Sequence, residues 1–212
     1  MKPVLIVDYG LGNLASVARA VRYLGAEPVV SSDPARLRDA ERAILPGVGA
    51  FGIAMANLDR LGLVEPLKQY AASGRPLLGI CLGMQLFMEE SSEGGTHAGL
   101  GLISGRVDRL PEARSSGIKV PHIGWSGLEA DGRDWLGTVL DGLQAGEALY
   151  FVHSYYVRPQ APGDVLASTT YGEARFCSVI ARGAVVGCQA HPEKSSESGL
   201  RLLGNFLGTF QH

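Results

Sequence analysis

At 212 residues with 46% apolar side chains, the chain is long enough for one substantial domain with a real core. Nineteen basic against 21 acidic residues leave a net charge of −2, which offers no basic footprint for nucleic acid or an anionic membrane surface; small molecules or another protein are the expected partners. No run approaches the roughly 18 apolar residues of a membrane span, and Val4-Leu5-Ile6-Val7 is too short for a signal-peptide core, so a cytoplasmic setting is expected.

In chain order, Val4 to Asp8 reads as a buried strand, and Asn13 is placed to N-cap a helix whose Leu14, Val17, Ala18, Val21 and Leu24 recur at helical spacing. Pro28 to Val30 makes a second strand, Asp33-Pro34 opens another helix, and Ala43 to Leu45 is a third strand. After Pro46-Gly47-Val48-Gly49, helical stretches run from Phe51 to Ala72. A short apolar run from Pro76 to Ile80 then meets a turn with Gly79 and Gly83 flanking Cys81, and a helical pattern begins at once. From Leu102 to Arg182 the chain turns strand-like, with pieces at Lys119–Ile123, Leu149–Val157 and Val165–Tyr171 broken by Gly and Pro. A last strand, Val185 to Gln189, leads into His191-Pro192-Glu193 and a terminal helix with Leu200, Leu203, Leu207 and Phe210 on one face. The expected fold is α/β: one domain over residues 1–212, a mostly parallel sheet with helices on both faces and an antiparallel addition.

Gly79-x-Cys81-x-Gly83 has the logic of a nucleophile elbow, in which flanking glycines permit a turn too sharp for a Cβ and hold the middle side chain out. The following helix N-terminus favours a thiolate, the form that attacks carbonyls. A cysteine nucleophile needs a histidine to carry its proton and a carboxylate to orient that histidine. Of five histidines only His191 has a carboxylate two residues on, Glu193; in an extended segment such residues share a side, and Pro192 biases His191 toward extension. Both Cys81 and His191 follow predicted strands, where ligand sites of open α/β sheets lie. The N–H of Leu82 is the natural first oxyanion donor, and the loop carrying Gly47 and Val48 the second. Cys81, Cys177 and Cys188 lack Cys-x-x-Cys spacing, so neither a disulfide framework nor a metal site is expected, and no cofactor. A rival signal is Gly10-Leu11-Gly12-Asn13-Leu14-Ala15, a dinucleotide-binding pattern with Asp33 at the distance of a ribose partner.

Gly79-Ile80-Cys81-Leu82-Gly83-Met84-Gln85 with His191-Pro192-Glu193 resembles the catalytic signature of class I (triad) glutamine amidotransferases. Asp8-Tyr9-Gly10-Leu11-Gly12-Asn13, Pro46-Gly47-Val48-Gly49, Pro121-His122-Ile123-Gly124-Trp125, the Tyr150 to Tyr156 strand and His191-Pro192-Glu193-Lys194-Ser195 extend the likeness along nearly the whole chain. They resemble the branch that works with a (βα)8-barrel cyclase subunit in histidine biosynthesis. The resemblance implies that Cys81 attacks the side-chain amide of glutamine, that His191 protonates departing ammonia and then activates water, and that Glu193 orients His191. It also implies that Gly49, Gln85, Glu93, His153, Ser154 and Tyr155 hold glutamine. Ammonia would pass to the cyclase in a heterodimer, with Asn13, Trp125 and Lys194 facing that partner. Two positions depart from the pattern: Ser126 stands where relatives have asparagine, which bears on the interface, and Ala190 replaces phenylalanine, which bears on packing.

Overall fold

Strands buried on both faces need helices on both sides, and the long apolar runs near the N-terminus dictate that arrangement. The computed structural model describes residues 3–112 and 119–208; Phe210 of the expected helix face lies outside the described residues. Strands β1 (Pro3–Val7), β2 (Glu27–Ser31), β3 (Arg42–Gly47) and β4 (Leu77–Cys81) alternate with helices α1 (Leu14–Tyr23), α2 (Ala35–Asp39), α3 (Phe51–Arg60) and α4 (Val64–Ala72). Helix α5 (Leu82–Gln85), a single turn, begins directly after β4, where the helical pattern is expected to start.

The remaining strands are β5 (Glu90–Ser91), β6 (His97–Ala98), β7 (Gly105–Arg109), β8 (His122–Gly127), β9 (Ala148–His153), β10 (Tyr155–Pro159), β11 (Val165–Tyr171), β12 (Ala174–Arg182) and β13 (Val185–Cys188). Helix α6 (Ser196–Leu207) closes the described chain. The main sheet has the order β11-β12-β13-β4-β3-β1-β2. Pairing is parallel from β2 to β13 and antiparallel between β13, β12 and β11, as the expected antiparallel addition requires. The cause is local: Gly172-Glu173 and Gly183-Ala184 are two-residue connections with left-handed glycines, too short for a parallel crossover.

Strand alternation divides the core. Val4, Ile6, Ile44 and Leu78 face Val17 and Val21 of α1 and Leu202, Leu203 and Phe206 of α6. Leu5, Val7, Leu45 and Leu77 face Leu37, Phe51, Leu58 and Leu67 of α2 to α4.

Some expected boundaries shift. The helical stretch 51–72 breaks at Gly62, whose φ of 64° ends α3 before α4 begins. The strand expected at Lys119–Ile123 runs instead from His122 to Gly127 and pairs with β9 in a separate ribbon. The expected Leu149–Val157 strand is cut at Ser154: β9 stays in that ribbon, while β10 joins the sheet β10-β7-β5-β6. Alternation alone cannot report a change of partner within one extended run.

The parallel register β3–β4–β13 brings Gly47 opposite Cys81 and Cys188 opposite Ile80, so the carboxyl ends of three strands converge. Gly83 is the wedge at this point, since a Cβ there would lie 1.8 Å from the Leu45 carbonyl oxygen. Gly83→Ala should therefore lower stability by about 3 kcal/mol or prevent folding, as overpacking against backbone does. Gly62→Ala meets open space and should cost only the left-handed strain of about 1 kcal/mol. Denaturant unfolding of the two variants checks the ranking.

Candidate active site

Cys81 ends β4 with φ 54° and ψ −110°, a left-handed backbone on a residue with a Cβ. Such strain costs about 1–3 kcal/mol and persists where the surroundings over-determine it. The glycines serve as the sequence leads one to expect: each leaves room where a Cβ would not fit, and neither has positive φ. A Cβ on Gly79 would meet the Phe87 ring at 2.6 Å and the Gly83 backbone at 2.7 Å, so the elbow folds back onto its own strand.

The Cys81 thiol is largely buried, yet it opens onto a cavity of about 310 Å³. Gly49, Gln85, Glu93, His153, Ser154 and Tyr155 all line that cavity, as do Val48, Leu82 and His191. Gly47 stands one step behind, with no room for a Cβ between the Tyr9 hydroxyl at 2.4 Å and Leu82 Cβ at 2.8 Å.

His191 and Glu193 are paired, His191 Nδ1 donating to Glu193 Oε1 at 2.9 Å with both side chains removed from solvent. The pairing runs through a 3-10 turn, Pro192–Lys194, and not through an extended segment. Ser195 locks that turn: its hydroxyl donates to the His191 carbonyl at 2.7 Å and accepts the Tyr150 N–H at 2.9 Å. His191 Nε2 keeps no hydrogen-bond partner among the described residues. Burial opposes charge on the ring, but the Cys81 sulfur and the Glu193 carboxylate favour it more, and the His191 pKa is pushed up to about 10.

Asn13 sits at the N-cap of α1 without a capping side-chain bond; its Nδ2 donates to Glu193 Oε1 at 3.4 Å. Trp125 and Lys194 are exposed, and Trp125 packs edge-on against Tyr150 across the β8–β9 ribbon. Glu93 lines the cavity and also accepts the Phe51 N–H at 2.7 Å at the start of α3.

Gln189 was legible only as the last residue of an expected strand. It is fully buried, and its Nε2 donates to Cys81 Sγ at 3.6 Å while its Oε1 accepts from Gln85 Nε2 at 3.1 Å. Gln85 Nε2 also donates to the Tyr155 carbonyl at 2.9 Å. His122 was likewise unassigned; its Nδ1 meets His153 Nε2 at 3.2 Å because the two residues are directly opposed in the ribbon. Burial drives their pKa values down to about 4 and about 3, so both rings are neutral near pH 7. The other two thiols differ from Cys81 in place: burial pushes Cys188 up to about 12 and Cys177 upward as well, and neither lines the cavity.

A family profile described as glutamine amidotransferase class-I matches residues 5–209. The chain belongs to the class-I glutamine amidotransferases. Among curated relatives of this amidotransferase, the imidazole glycerol phosphate synthase subunit HisH of Symbiobacterium thermophilum is 50% identical over 97% of this chain and 93% of its own. The subunit of the same name from Moorella thermoacetica is 47% identical over 100% and 97%. The enzyme is thus a glutamine-hydrolysing one of the HisH group. Its fold matches a solved glutamine amidotransferase at TM-score 0.73 and 21% identity, covering 97% of each chain. PurLQS from Thermotoga maritima matches at TM-score 0.75 and 20% identity, covering 98% of each.

The dinucleotide-like glycines have another use here. Gly12 lies against Pro46, 3.4 Å from where its Cβ would be, and Asp33 accepts the Ala35 N–H at 2.9 Å.

Because the folded pKa of His191 is raised above its ordinary 6.5, its contribution to stability is complete below pH 6.5 and is lost as pH rises through about 10. Urea unfolding across that window should show wild type losing more stability than His191→Asn. Parallel curves would contradict the charged pair.

Proposed function

We propose that this amidotransferase uses Cys81, His191 and Glu193 as a triad to release ammonia from glutamine for a (βα)8-barrel cyclase subunit of histidine biosynthesis, in a cytoplasmic heterodimer. The observation that carries the triad is His191, bonded to buried Glu193 and lining the same cavity as the strained Cys81. Cys81 Sγ bonds to the amide carbon of glutamine, and the carbonyl electron pair moves to oxygen. The Leu82 N–H and the backbone of the Gly47–Val48 loop are the proposed donors to that oxygen. The proton that His191 Nε2 already holds beside the sulfur passes to the nitrogen, so the carbon–nitrogen bond breaks and ammonia leaves. The neutral ring then takes a proton from water, whose oxygen attacks the thioester; glutamate departs and the sulfur leaves as the anion beside charged His191. Glu193 keeps Nδ1 protonated so that Nε2 does the transfer.

Gly49, Gln85, Glu93, His153, Ser154 and Tyr155 are the proposed glutamine pocket. For the partner face, Ile123 is 60% exposed and Trp125 52% exposed on one side of β8, an apolar pair that a lone chain leaves in water. Lys194, exposed beside the triad turn, and Asn13, touching Glu193, extend that face to the catalytic side chains. That the relatives are subunits of a synthase supports a partner.

Cys81→Ala should abolish glutamine-dependent synthesis by the complex while supplied ammonia still supports the cyclase. Glu193→Gln should lose about 10⁴-fold in glutamine-dependent kcat, less than Cys81→Ala, because it misorients the base without removing it. Loss of the ammonia-dependent reaction in Cys81→Ala would contradict a role confined to ammonia supply.

A further inference from the structure

We propose that Gln189 is a fourth catalytic side chain: its amide N–H holds the Cys81 sulfur toward His191 and stabilises the negative charge that sulfur carries before attack and on leaving. The inference rests on Cys81 being the nucleophile. Gln189 is fully buried at the carboxyl end of β13, next to β4, and its Nε2 lies 3.6 Å from Cys81 Sγ. Apart from His191, the sulfur's further hydrogen-bond partner among the described residues is the Val152 carbonyl at 4.0 Å, which can only accept. Gln189 is therefore the neutral donor that supports a sulfur anion when the thiol proton is on His191.

The direction of that amide is set by a chain of obligatory roles. The Tyr155 carbonyl can only accept, and it lies 2.9 Å from both His153 Nδ1 and Gln85 Nε2. Gln85 Nε2 must then be the amino group, and it also meets the amide oxygen of Gln189, which turns the Gln189 N–H toward the sulfur. On the other branch, His153 Nδ1 carries its proton, so Nε2 accepts from His122 Nδ1; His122 Nε2 in turn accepts from the Ser126 hydroxyl at 3.0 Å. Every partner in this chain has one consistent role. The chain links the β8 strand that bears Trp125 to the sulfur atom, and Ser126 supplies the donor that closes it.

Two variants test the assignment in the complex with the cyclase, with glutamate release from glutamine as the readout. Gln189→Glu keeps the shape and the acceptor for Gln85 but sets an oxygen against the sulfur. Gln189→Met keeps only the length and leaves Gln85 a hydrogen bond short. Both should lose at least about 30-fold in kcat, the rate equivalent of one hydrogen bond to a charged atom, with KM within about threefold. Both losses should persist under conditions where circular dichroism and melting curves show the variant fully folded. A purely structural residue would keep its rate wherever the fold is intact, so a fully folded Gln189→Met with kcat within about threefold of wild type overturns the proposal.

A measurement on wild type covers variants that fail to fold. The side-chain amide resonance of Gln189 should move when Cys81 is alkylated by a diazo-ketone analogue of glutamine, and an unmoved resonance also overturns the proposal. Wild type that releases no glutamate in the complex would instead refute the triad reading.

Discussion

The left-handed backbone at Cys81 is the constraint on which the rest of the site depends. Strand β4 cannot pass into a helix at this point without turning inside the space of a side chain, and the space exists because Gly83 lies beneath the Leu45 carbonyl and Gly79 against Phe87. The strain therefore rests on the residue with the sulfur, while its neighbours supply room. Cores on both sides of the sheet hold the strand, so the turn cannot relax by moving it.

Around that turn the fold arranges two kinds of imidazole in one small volume. His191 is bonded to a carboxylate that solvent does not reach and lies near a sulfur, and it is held charged. His153, on another wall of the same cavity, is backed by His122 and by carbonyl oxygen and is held neutral. Burial acts on both in the same direction; the difference is the anionic partner. A charged ring and a neutral ring are thus separated by their hydrogen-bond partners. The aromatic box around His122, with Tyr171 stacked at 4.0 Å and Phe151 at 5.1 Å, keeps water from charging the second pair.

Much of this was legible in the sequence, for identifiable reasons. The parallel half of the sheet announces itself because apolar runs and capped helices alternate, and the elbow because glycine at both i−2 and i+2 of a cysteine has few other uses. His191 and Glu193 are close in sequence, so their pairing is a local property. What stayed hidden depends on register. Gln189 matters because β13 lies beside β4, and His122 because β8 lies opposite β9; neither neighbour is encoded in a local pattern. Asn13 illustrates the same limit: its position signals a helix cap, and only the packing of α1 against the triad turn gives its side chain to Glu193. The cut at Ser154 escaped for the complementary reason, since both halves of the run are extended and half-buried.

The most direct test of the account is the chemistry of the sulfur itself. Acid quenching of the complex during glutamine turnover, followed by peptide mass mapping, should find a γ-glutamyl thioester on Cys81 and on neither Cys177 nor Cys188. Turnover that proceeds with an adduct on another residue, or with hydrolysis undiminished in Cys81→Ala, would contradict it.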